Sequence, residues 1–223
     1  MNAENEKKMI EEALKKSLSS LAGSFKKDEL AYLALTSKIE LPLRDRWAFS
    51  LYERLFPLDY IVAREWEPQI KTLPGKKRPR IDMAILNRKQ QPIALVEIKA
   101  MYSFDAFGGL QKYLERIKND KKKLINVNGE TKAASSLYVV LFATHPQCEI
   151  PEEYRREEKT IKYWENINKE IERQGNVELL KKKVQKNISD GLEDIIVNDK
   201  YELEAGSAFG VKTSVLYWIM RAN

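Results

Sequence analysis

The spacing of apolar positions changes period along this chain, and each change marks an element. Met9, Ile10, Ala13, Leu14, Leu18 and Leu21 recur three and four residues apart and stop at Gly23, which predicts an amphipathic helix in need of a partner surface. Asp28 stands where a cap would for a second helix over residues 29–35. Pro42 suits the start of a third helix through Trp47, Leu51 and Leu55. The pattern then shortens to strand-like runs. Tyr60-Ile61-Val62-Ala63 reads as a first core strand, residues 81–86 and 92–99 as the next two, and Leu137 to Phe142 as a strand buried on both faces in the middle of a mixed sheet. A helix from about Phe104 through Gln111, Tyr113, Leu114 and Ile117 separates these last two. Lys118, Lys121, Lys122 and Lys123 crowd its expected end.

Beyond Pro151 a charged helical stretch runs from Glu152 to about Lys186, interrupted near Gly175, with Ile161, Tyr163, Trp164, Ile167 and Ile171 as its packing stripe. Residues 202–206 and 211–220 predict a closing pair of strands joined by the turn at residues 206–210. Strands flanked by helices give an α/β fold over residues 1–223 as a single domain: a helical extension at 1–40, a core at 40–145, a helical insertion at 150–192 and closing strands at 195–223. There is no internal repeat.

Composition narrows the chemistry. The 223 residues contain one cysteine, Cys148, and one histidine, His145, so neither an internal disulfide, a Cys/His zinc cluster nor a Ser-His-Asp triad is available. Carboxylates, lysine and an oxygen-seeking metal remain. No apolar run approaches a membrane span, and residues 1–6 lack a signal peptide's pattern, so a cytoplasmic protein is expected. The net charge of +6 suits a polyanionic partner. Lys76, Lys77, Arg78 and Arg80 lie in the turn before the second strand, where a loop could contact phosphates.

The chemistry concentrates in two predicted strands, Arg80-Ile81-Asp82-Met83-Ala84-Ile85-Leu86 and Pro92-Ile93-Ala94-Leu95-Val96-Glu97-Ile98-Lys99. Strand alternation places Glu97 and Lys99 on one face and Val96 and Ile98 on the other, and a hairpin brings Asp82 alongside. Two carboxylates can then share a hard divalent cation with an ammonium one strand step away. Glu-x-Lys also occurs at Glu6-Lys8, Glu130-Lys132 and Glu157-Lys159, but in polar, helix-like surroundings; only Glu97-Ile98-Lys99 ends a buried-strand pattern with an Asp in the strand before it.

Asp82 followed after fourteen residues by Glu97-Ile98-Lys99 resembles the PD-(D/E)XK nuclease superfamily, with Ile81 where the motif's name has proline. The resemblance covers roughly residues 40–145. It implies a restriction-endonuclease-like mixed central sheet and hydrolysis of phosphodiester bonds, most readily in DNA, with Mg²⁺ or Mn²⁺ as substitute. Asp82, Glu97 and Lys99 would be catalytic, and Asp82, Glu97 and the carbonyl of Ile98 would be the metal ligands. An additional acid near the start of the preceding helix would be Asp45 or Glu40, and Gln111 and Tyr113 would support the site. Restriction, phage defence or repair are the roles implied, with a homodimer or protein partner met through the helical additions. The alternative is a catalytically inactive nucleic-acid-binding or scaffolding protein on the same fold.

Overall fold

A computed structural model describes residues 2–69, 78–131, 134, 136–155, 160–196 and 202–222. Its centre is a mixed sheet of six strands: β1 (Ile61–Trp66), β2 (Ile81–Leu86), β3 (Pro92–Tyr102), β4 (Ser136–Pro146), β5 (Glu202–Ala208) and β6 (Val211–Arg221). They lie in the order β1-β2-β3-β4-β6-β5, antiparallel except for the parallel β3/β4 pair. A parallel pair needs a crossover, and the 22-residue helix α5 within it supplies one.

Helices cover both faces. On one side lie α1 (Ala3–Ser19), α2 (Glu29–Thr36) and α3 (Glu40–Leu55), whose Ile10, Leu14, Leu18, Leu43, Trp47 and Leu51 enclose Val96, Ile98, Val140 and Phe142. Trp47 is fully buried and its indole N–H donates to Ser17 Oγ at 2.7 Å, so the largest ring of this layer is satisfied where it packs on α1. The other face carries α4 (Asp105–Gly108), α5 (Leu110–Thr131), α6 (Glu152–Arg155), α7 (Trp164–Gln174) and α8 (Val177–Gly191). There Ile117, Leu124, Ile167, Ile171 and Val184 pack on Leu95, Val139, Leu141 and Trp218. The helices expected as additions thus join α3 and α5 in the two layers that bury the sheet. Among the described residues no helix is long and apolar enough to cross a membrane.

Several local expectations need correction. Asp28 does not cap α2: it sits at φ +63° and its carboxylate instead accepts the Ser207 N–H of β5 at 2.8 Å. Gly206, at φ +92°, makes room for it, because a Cβ there would come within 2.5 Å of Asp28 Oδ1. The strand at Ile61 exists but is an edge strand with Ile61 exposed; Arg44, Arg64 and Arg80 lace its flank to Asp45, Glu65 and Glu67, charges that protect an unpaired edge. Helix α5 does not stop at the lysine run but continues to Thr131, since Leu114, Ile117, Leu124 and Val127 keep its apolar stripe going. The stretch after Pro151 is three helices, with Gly175 (φ +80°) ending α7 and Asn176 capping α8 through Leu179 N–H at 2.8 Å.

Candidate functional site

β3 is paired with β2 only as far as Val96, opposite Met83; beyond that point β2 stays with β1 and the near edge of β3 is left without a strand. A bare strand edge must find acceptors for its N–H groups. Here side-chain carboxylates provide them. Asp82 Oδ2 accepts the Ile98 N–H at 2.8 Å, and Glu40 Oε2, from the first turn of α3, accepts the Ala100 N–H at 3.3 Å. The splay between the strands thus places two acids along one edge, beside the Ile98 carbonyl.

Glu97 and Lys99 point to the α5 face, as alternation requires. Glu97 is 2% exposed, and its Oε1 accepts from Lys123 Nζ at 2.6 Å; that ammonium also reaches the Arg80 carbonyl oxygen. Lys99 Nζ donates to the Ile98 carbonyl at 2.9 Å and lies 3.0 Å from Asp120 Oδ2 and 3.9 Å from Glu97 Oε2. Asp82, Glu97, Lys99 and Glu40 therefore converge, joined by Asp120 and Lys123 of α5.

Burial governs the electrostatics of this cluster. It pushes the Glu97 carboxyl from 4.5 up to about 8, with the Asp82 charge adding to it and Lys123 opposing. Burial also raises Glu40, against the pull of Lys99 and with a push from Asp82, and raises Asp120 against the pull of Lys99. For Lys99 burial disfavours the ammonium, but Asp120, Asp82 and Glu40 outweigh it and hold the amine charged. The cluster is acidic overall and draws positive charge inward.

That property bears on a metal. All candidate ligands are hard oxygens, two carboxylates and a carbonyl, which matches in kind what Mg²⁺ takes from protein while keeping its waters. Among the described residues no three acidic, histidine or cysteine side chains form a ready-made cage. The Lys123 ammonium, held on the buried Glu97 oxygen, supplies the positive charge that this position demands.

The remaining sequence candidates divide. Of the two additional acids, Glu40 reaches the cluster, while Asp45 is held by Arg44 at 2.9 Å and Arg64 at 3.0 Å on the β1 side. Gln111 is exposed on α5, and Tyr113 lines a neighbouring aromatic cleft rather than the acidic cluster. Lys76 and Lys77 lie outside the described residues. Arg78 is exposed, and Arg80 directs its guanidinium to Glu65 and Glu67. Sequence reasoning missed Asp120 and Lys123. Their signal was present: α5's apolar stripe skips a turn between Ile117 and Leu124, and a charged residue on a buried helix face asks for a partner.

The cluster opens to solvent through a cleft lined by Lys38, Glu40, Leu41, Lys99, Arg116, Asn119 and Asp120. No protein-family model matches this chain, and neither a curated protein nor a solved structure matches it.

Proposed function

We propose that this chain is a metal-dependent nuclease that hydrolyses phosphodiester bonds in DNA, on a restriction-endonuclease-like version of the six-stranded α/β fold. The observation that carries the reading is the meeting of Asp82, Glu97 and Lys99 where β2 leaves β3, with Glu40 on the same strand edge. A structural sheet has no need of a buried Glu97 with half-buried Asp82, Glu40 and Lys99 along the same stretch of strand, because each charge there costs desolvation free energy unless paired.

In this reading Asp82, Glu97 and the Ile98 carbonyl would hold Mg²⁺, or Mn²⁺ in its place. When bound, the ion supplies Lewis-acid stabilisation of the phosphoryl oxygens and lowers the pKa of a water ligand. Lys99, kept charged and aimed by Asp120, faces the non-bridging oxygens where negative charge develops. Glu40 stands beside it and can take up the proton of the attacking water. Lys123 donates to Glu97 Oε1, and would have to release that oxygen for Glu97 to serve as a ligand. Asp45 has no part in this arrangement.

A second reading, a catalytically inactive nucleic-acid-binding or scaffolding protein, is favoured by that same Lys123 contact: the 2.6 Å hydrogen bond gives the buried Glu97 oxygen a partner without any metal. Cleavage of plasmid, linear duplex, single-stranded DNA and RNA in Mg²⁺, Mn²⁺ or EDTA separates the two. Metal-dependent cutting by the wild type that is lost in Asp82→Ala and Lys99→Ala establishes the nuclease. No cutting, together with no Mg²⁺ or Mn²⁺ binding that depends on Asp82 and Glu97, leaves the second reading.

A further inference from the structure

Next to the acidic cleft lies a second cavity of about 200 Å³, at the end of the parallel β3/β4 pair. One wall is aromatic. Tyr102 and Phe104 stack with ring centroids 5.4 Å apart and planes 14° apart, and Tyr163 stands edge-on to Tyr102 at 5.1 Å. Tyr163 is about half exposed and holds a left-handed backbone at φ +62°, unusual for an aromatic residue. Backbone strain of this kind persists where the surroundings fix it, often at binding sites.

The rest of the lining mixes the apolar Ile39, Ala100 and Met101 with polar and charged groups. Ser37, Asp105 and Thr144 offer hydrogen-bonding groups, while Lys38 and Arg116 line both this cavity and the cleft that holds Lys99 and Glu40. Neither Lys38 nor Arg116 has an ion-pair partner among the described residues; Arg116 instead lies over the Tyr113 ring at 5.6 Å. The two clefts thus share a cationic rim. The volume falls below the roughly 300–1,000 Å³ of drug-sized pockets, which suits one planar ring system rather than a larger ligand.

The geometry points to a pocket for one unpaired nucleobase of the DNA strand being cut, with Lys38 and Arg116 on the phosphate that links this base to the acidic cleft. Aromatic walls take any base face, and cations that track the backbone are the other half of single-strand recognition. Bases in an intact duplex are stacked away and reach such a pocket only when extruded. The substrate class is therefore single-stranded DNA, or duplex with a base out of its stack. This inference rests on the nuclease reading for its choice of DNA.

The test is fluorescence anisotropy in EDTA with a labelled oligothymidylate and a duplex of equal length, on wild type, Tyr163→Ala and Tyr163→Phe. Tyr163 sits at the exposed start of α7, so both variants retain the core. The expected result is single-strand binding weakened roughly 5- to 100-fold in Tyr163→Ala, restored in Tyr163→Phe, with duplex binding unmoved. A single abasic residue walked along the oligonucleotide weakens the wild type at one position and adds nothing in Tyr163→Ala. Equal losses on single strand and duplex, no loss in Tyr163→Ala, or tighter binding of an oligouridylate overturns the assignment. If the wild type cuts DNA through Asp82 yet Tyr163→Ala binds normally, the base pocket falls and the nuclease stands. If nothing cuts but the Tyr163 pattern holds, the nuclease falls and the pocket stands.

Discussion

Replacing Glu97 with glutamine should make the protein relatively more stable as pH rises from 5 to 8. The folded carboxyl is held at about 8, against an ordinary 4.5, by burial and by Asp82, so between these values the folded state keeps a proton that the unfolded chain releases. Where the folded state binds more protons, stability falls as pH increases. The group's contribution is whole below about pH 4.5 and drains away on the way to pH 8. Every tenfold gain in proton affinity on folding is worth about 1.4 kcal/mol, so the window holds on the order of 4 kcal/mol. Glutamine removes the titration while its side-chain oxygen still accepts from Lys123, so that contact contributes a constant offset. Titrating groups remote from Glu97 cancel in the difference between the two proteins, while Asp82 and Asp120, which face it, add smaller shifts of their own. Measured by urea unfolding in EDTA at half-unit pH steps, the Glu97→Gln minus wild-type stability should climb by roughly 3–5 kcal/mol across the window, or about 10 °C in melting temperature. A flat difference would refute the account of Glu97 as a carboxyl kept protonated by its surroundings.

Three further outcomes follow from contacts already described. Lys99→Met removes the cation from Asp120 and Glu40; on the nuclease reading it should abolish cleavage, and it should cost about 2–4 kcal/mol at pH 8 and less at pH 5, because burial favours the protonated form of both carboxyls and acid relieves the unpaired charge. Urea curves at both pH values check this, and an equal cost at each would sink it. Gly206→Ala should cost about 1–3 kcal/mol in thermal unfolding, since the methyl meets Asp28 and the backbone is at φ +92°; a neutral result would mean that Asp28 moves freely. Deleting residues 2–24 should leave a chain without cooperative unfolding by circular dichroism, because Ile10, Leu14 and Leu18 are fully buried in the core; a folded truncation with an altered oligomeric state would instead identify α1 as a subunit seam.

What could be read in advance followed from short-range periodicity. The strand alternation of Glu97 and Lys99, the apolar stripe from Met9 to Leu21 and the double-sided burial of Leu137 to Phe142 are local properties, and each has its counterpart in the structure. What escaped was decided by pairing partners. The run at Ile61 looks like core in isolation, but its place at the edge depends on sheet order. Asp28 has a capping residue's chemistry, yet a β5 N–H nearly 180 residues away competes for its carboxylate and wins. Of the candidate acids, Glu40 and Asp45 differ by little more than one helical turn, and only the position of the β3 edge beneath α3 chooses between them. Asp120 and Lys123 were hidden in a lysine-rich stretch of α5 in which Lys118 and Lys122 face solvent.

The sheet order also determines when this chain can protect itself during synthesis. β4 is buried along its whole length, and one of its edges is covered by β6, which begins about 65 residues later. At roughly 5–20 residues per second, a ribosome needs several seconds to supply that second strand. Throughout that interval an apolar strand with an open edge is exposed to its neighbours on the same message. The β4 edge is therefore open to intermolecular pairing until β6 has been made.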